Sequence, residues 1–107
     1  MARVLIAALS VLLASAAPVL AQQSARVEAG YKLAQAVCAE CHGIEADDRI
    51  SPNMDVPAFY DIANKPGITV IALSVWFRTP HPTMPNFVIG QDEVSDLSAY
   101  ILSLKSR

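Results

Sequence analysis

Val27, Tyr31, Ala34 and Cys38 recur at spacings of four, three and four, the repeat of a helix with one apolar face. Ser24 stands where that helix would take its N-cap. Gly30 adjoins the apolar face, and because a mid-helix glycine costs about 1 kcal/mol relative to alanine, its presence predicts the close approach of another element. A second helix is predicted over Gln91 to Lys105, with Val94, Leu97, Tyr100, Ile101 and Leu104 as its apolar stripe. Asp92 and Glu93 lie near its positive end and Lys105 near its negative end, as the helix dipole favours. Between the two, Pro57-Ala58-Phe59-Tyr60-Asp61-Ile62-Ala63 predicts a short helix opened by proline, and Pro66-Gly67 a turn that ends it. Thr69 can cap a further helix over Val70 to Phe77, in which Val70, Leu73 and Phe77 share a face. The β-branched run Ile68 to Ile71 would also suit a strand, but a lone strand has nothing to pair with. The predicted class is all-α, with no internal repeat.

The N-terminus follows a different pattern. From Val4 to Ala21 only Ser10, Ser15 and Pro18 interrupt an apolar and alanine run that follows Arg3. A charged start, an apolar core, a helix-breaking Pro18 and the ending Val19-Leu20-Ala21 fit a secretory signal peptide over residues 1–21, cleaved before Gln22. The competing reading is a retained membrane anchor, since the run approaches the shortest spanning helices of about 17 residues. Pro18 and the small-residue exit favour cleavage, which leaves no membrane anchor and places the mature chain, 22–107, in the periplasm.

The leader also explains the composition. The chain has 107 residues, 53% of them hydrophobic, and much of that excess lies in the leader. The remainder is a single domain of 86 residues carrying seven Lys or Arg, ten Asp or Glu and a formal charge of about −3. Nucleic-acid binding calls for a clustered basic face, so that class is excluded. A domain this small buries only somewhat over 60% of its unfolded surface and is often helped by a disulfide, metal or cofactor.

Both cysteines stand in Cys38-Ala39-Glu40-Cys41-His42. A thioredoxin-like pair would sit at a helix N-terminus beside a βαβ unit, whereas this pair ends a predicted helix. A zinc site needs about four ligands, and adjacent Cys41 and His42 serve a tetrahedron badly. A disulfide suits an oxidising compartment but leaves His42 unexplained. C-x-x-C-H is the attachment motif of a covalent haem, with both thiols bonded to the vinyl groups and His42 as the proximal iron ligand.

The iron's sixth position has few candidates: Met54, Met84 and His81. Met84 lies in Thr79-Pro80-His81-Pro82-Thr83-Met84-Pro85, where three prolines prevent helix and stiffen the loop. Met84 is the expected axial ligand. The alternatives are a core-filling role for Met84, since thioethers fill apolar gaps, and ligation by His81.

Residues 24 to 106 resemble a class I monohaem cytochrome c of the small bacterial type. The likeness is carried by the helix Val27-Glu28-Ala29-Gly30-Tyr31-Lys32-Leu33-Ala34 leading into Cys38-Ala39-Glu40-Cys41-His42, by the Met84 loop, and by Asp96-Leu97-Ser98-Ala99-Tyr100-Ile101. The resemblance implies a cytochrome c fold in which the N- and C-terminal helices cross at Gly30 under Tyr100, with short helices and loops wrapping one haem c. It also implies that a proline carbonyl holds the proximal imidazole. Ser51-Pro52-Asn53 resembles that segment, with Ser51 where the family usually has glycine, so Pro52 is the expected partner of His42.

With His42 and Met84 on the iron, no position stays open for oxygen or peroxide, and the reading is outer-sphere transfer of one electron rather than enzymatic turnover. Methionine ligation and apolar packing raise the potential. The expected role is a monomeric carrier between a respiratory complex or dehydrogenase and an oxidase or reductase, through weak transient contacts with redox proteins. The rival readings are a haem protein with Met84 displaced, of peroxidase or gas-binding type, and a thiol oxidoreductase. Trp76 could reach a haem propionate through its indole nitrogen or simply satisfy it on a local carbonyl. The stretch Gly43 to Val56, with Glu45, Asp47, Asp48 and Asp55, reads as an exposed loop.

Overall fold

The computed structural model describes residues 17–80, 84, 85 and 88–107. Four helices follow one another: α1 (Ala17–Val37), α2 (Phe59–Ala63), α3 (Val70–Arg78) and α4 (Gln91–Ser103). Among the described residues there is no strand. Ile68 to Ile71 lead into and begin α3, whose N-cap Thr69 accepts a hydrogen bond from the Ala72 N–H at 3.2 Å. None of these helices is long and apolar enough to cross a membrane.

α1 begins earlier than its apolar repeat predicts. It runs through Ser24, whose hydroxyl donates to the Leu20 carbonyl at 3.1 Å instead of capping a helix start. Pro18 lies within the described stretch of this helix. The alanine- and glutamine-rich segment behind Pro18, made of good helix formers, carries the helix on.

The core forms where α1 and α4 cross. Ala34, Cys38, Ile44, Phe59, Ala63, Leu73, Leu97, Tyr100 and Ile101 make one buried cluster. Gly30 is the crossing point: a β-carbon there would collide with the backbone carbonyl of Asp96 and stand 2.8 Å from Tyr100 Cβ. Arg26 and Asp96 pair at 3.1 Å beside the crossing, and the Tyr31 and Tyr100 rings lie 5.2 Å apart across it. At the start of α4 the Gly90 N–H donates to the Glu93 carboxylate at 2.8 Å, which satisfies one of the donors a helix start leaves open.

The short helices are held by their turns. Gly67, at φ 79°, makes the left-handed turn between α2 and α3. Asn64, just past α2, donates to the carbonyls of Tyr60 and Leu104 and accepts from the Ser106 N–H at 2.8 Å, tying α2 to the end of α4. α3 packs through Leu73 and Phe77, while Val70, expected on the same face, is 52% exposed because the helix begins beyond the edge of the core.

The 43–56 segment is more than a solvated loop. Gly43, Ile44 and Ser51 are buried, the Gly43 N–H donates to Ser51 Oγ at 3.1 Å, and Tyr100 Oη donates to the Ile44 carbonyl at 2.6 Å. Glu45 accepts from Tyr31 Oη at 2.8 Å, and Asp48 accepts from the Glu45 N–H at 2.9 Å. Two of its acids therefore stitch the segment to itself and to α1.

Candidate haem site

The end of α1 continues directly into the attachment motif. The Cys38 N–H donates to Ala34 O at 2.9 Å, and the Cys41 and His42 N–H groups both return to Cys38 O, at 3.1 and 2.9 Å. This single turn brings Cys38, Cys41 and His42 to one wall. The two thiols are not joined to each other. Burial pushes the Cys38 thiol up to about 11, so it stays protonated at neutral pH and makes a poor exchange nucleophile.

His42 is oriented from behind. Its Nδ1 lies 2.6 Å from the Pro57 carbonyl. A carbonyl only accepts, so Nδ1 carries the proton and Nε2 keeps its lone pair for a metal. The Phe59 ring packs against the imidazole at 5.4 Å, and the Phe59 N–H donates to Gly43 O at 2.8 Å, holding the Pro57 segment beside the histidine. The carbonyl is that of Pro57, not of Pro52 as the Ser51-Pro52-Asn53 likeness implies. Pro52 lies in an exposed turn, anchored through the Asn53 N–H to Cys41 O, and the chain reaches the imidazole only five residues later.

Two apolar clefts open from this wall. The first, about 760 Å³ including open solvent, is lined by Ile62, Ile68, Leu73, Trp76, Phe77 and Ile101 as well as by the motif. The second, about 700 Å³ on the same measure, lies against Val37, Cys41, Val56 and Pro85. Cys38, His42, Pro57 and Met84 line both. Apolar walls, two thiols on one edge and an imidazole with a free lone pair are what an iron porphyrin requires, so the residues fit the group. Bound there, the haem supplies a one-electron couple at its iron.

Met84 is half-buried on both clefts. The segment carrying it is pinned at its ends, where the Arg78 guanidinium donates to the Gln91 side chain. Met54, the other thioether candidate, is 85% exposed and lines neither cleft. His81 lies outside the described residues. Trp76 lines the first cleft. Pattern reading missed Pro57 and Phe59 as supports of the histidine; the signal available was a Pro-x-aromatic step entering a short helix.

Helices crossed on a glycine, with an attachment turn opening onto apolar clefts, define a covalent haem protein of all-α type. The chain belongs to the cytochrome c family, whose sequence model matches residues 27–105. It is 37% identical over 76 residues to cytochrome c-552 of Bradyrhizobium diazoefficiens, a match covering 71% of this chain and 72% of that protein. No solved structure matches it significantly. Family membership makes the chain a haem c protein of the electron-carrier kind, and its attachment motif is Cys38 to His42.

Proposed function

We propose that the mature chain is an exported, monomeric one-electron carrier, with haem c bonded through Cys38 and Cys41 and its iron held by His42 Nε2 and Met84 sulfur. The observation that carries this reading is that His42, already oriented by Pro57, and Met84 line the same two clefts. Held by His42 and Met84 together, a bound haem would keep the same protein ligands in both oxidation states, so its one-electron couple would ask little movement of the chain. A thioether sulfur and apolar walls favour the ferrous state, which supports a fairly high potential. The leader pattern of residues 1–21 supports a periplasmic site of action, with electrons arriving from a respiratory complex or dehydrogenase and leaving to an oxidase or reductase.

The test is the visible spectrum of the exported protein, ferric and ferrous, with carbon monoxide added to the reduced form. The expected result is sharp c-type bands indifferent to carbon monoxide, with the long-wavelength iron–sulfur band of the ferric protein lost in Met84→Ala. A strong carbon monoxide shift in the unaltered protein would overturn Met84 ligation and favour a ligand-binding or peroxidase-type haem.

A further inference from the structure

Four aromatic rings stand in file from the His42 wall towards α1. His42 and Phe59 are 5.4 Å apart, Phe59 and Tyr100 6.4 Å, and Tyr100 and Tyr31 5.2 Å, each within the spacing of interacting aromatic pairs. Core packing accounts for the rings but not for the different partners of the two tyrosines at the far end. Tyr100 Oη donates at 2.6 Å to the Ile44 carbonyl, which is too weak a base to keep a proton. Tyr31 Oη donates at 2.8 Å to the Glu45 carboxylate, which can keep one, and the Gln35 amide donates to the same phenol oxygen at 2.9 Å. A phenol loses an electron readily only when its proton leaves with it, because the oxidised phenol is a very strong acid. The Tyr31–Glu45 distance is that of direct proton transfer. The remaining tyrosine, Tyr60, lies under the Arg49 guanidinium at 3.5 Å, whose positive charge opposes loss of an electron from the ring.

We propose that Tyr31 and Glu45 form a redox-active pair, the place where an oxidising equivalent stronger than the carrier's working couple comes to rest once it enters this file of rings. The co-reactant is a strong one-electron oxidant, of the kind that peroxides generate at haem. In the step, Tyr31 gives one electron to that oxidant and its phenolic proton to the Glu45 carboxylate. A neutral phenoxyl and a carboxylic acid result, with no bond between heavy atoms made or broken, and Gln35 remains a donor to the phenoxyl oxygen. One electron from a reductant such as ascorbate restores the phenol as the proton returns. Such a sink spares the oxidisable thioether of Met84, which lines both clefts. It goes beyond the carrier reading and does not require Met84 on the iron.

Flash-quench oxidation of the ferric holoprotein by photogenerated tris(bipyridine)ruthenium(III), itself reduced to ruthenium(II), shows by freeze-trapped EPR where the oxidising equivalent rests. The expected signal is a neutral tyrosyl radical that narrows when the protein carries ring-deuterated tyrosine and forms more slowly in heavy water. Its yield should fall severalfold in Tyr31→Phe, which keeps the ring. It should fall similarly in Glu45→Gln, which still accepts the phenol hydrogen bond but cannot take the proton. Tyr60→Phe and Tyr100→Phe should retain most of it. Visible spectra and melts of the variants separate loss of the base from loss of the fold. An undiminished yield in either Tyr31→Phe or Glu45→Gln would overturn the proposal, as would loss of the signal in Tyr60→Phe or Tyr100→Phe alone. So would the absence of any radical, or a signal indifferent to tyrosine deuteration, which would belong to Trp76, the chain's one tryptophan. The radical does not depend on Met84 ligation, so this test and the carbon monoxide test fail independently.

Discussion

The Nδ1 of His42 lies 2.6 Å from the Pro57 carbonyl, a residue 15 positions further along the chain. Because the acceptor belongs to the main chain, no side-chain replacement deletes it; only a change in backbone stiffness can loosen it. Pro57→Gly is therefore expected to speed solvent exchange of the imidazole Nδ1 proton, followed by NMR on the haem-loaded protein. Pro52→Gly, altering an exposed turn, should leave that exchange unchanged. The reverse pattern would return the role to Pro52.

Gly30 and Gly67 are needed for different reasons, and substitution separates them. At Gly30 a methyl group meets the Asp96 backbone and Tyr100 Cβ, so Gly30→Ala must push two helices apart, at a cost of about 2 kcal/mol or more. At Gly67 nothing lies within 4 Å, and only the φ of 79° opposes a side chain. Gly67→Ala should cost about 1 kcal/mol. Denaturant unfolding of the haem-loaded variants measures both, and equal losses would contradict a close crossing at Gly30.

Tyr100 links stability to alkaline pH. Burial first, then the carboxylate of Glu45, raise its hydroxyl from 10.0 to about 12. A phenol held neutral by the fold adds stability that is complete below pH 10, where the unfolded chain is also protonated. That contribution is lost as pH rises from 10 towards about 12, because the unfolded chain ionises first. Tyr100→Phe should lose about 1 kcal/mol at neutral pH with the bond to Ile44. It should also show a shallower decline above pH 10, as read from helical circular dichroism in denaturant titrations.

The clefts make the cofactor part of the core. Without it, Leu73, Phe77 and Ile101 face a cleft of about 760 Å³, and a cavity left in a core forfeits both transfer energy and contacts. Cys38→Ser/Cys41→Ser, which cannot attach haem, is expected to lose the cooperative melt of the holoprotein. A native-like melt and helical signal in that variant would show that the polypeptide folds by itself.

The helices were legible because each has a local cause. The Thr69 cap, the Gly67 turn, the glycine at the crossing and the apolar stripe of α4 all stand where periodicity and turn chemistry require. Ser24 misled, since a serine that could cap a helix can equally sit inside one by bonding to the carbonyl four residues back. The acidic 43–56 segment misled in another way, because composition registers charge but not that Tyr31 and Tyr100 reach into it.

By itself, the chain's sequence determined the class, the helices, the attachment motif and the short set of side chains able to meet iron, because these depend on residues a few positions apart. The tertiary structure decided which proline supports His42, and that Met84 and not Met54 faces the clefts. Those outcomes depend on how 15 to 50 residues of chain fold back on themselves, and local pattern does not encode the path of that return.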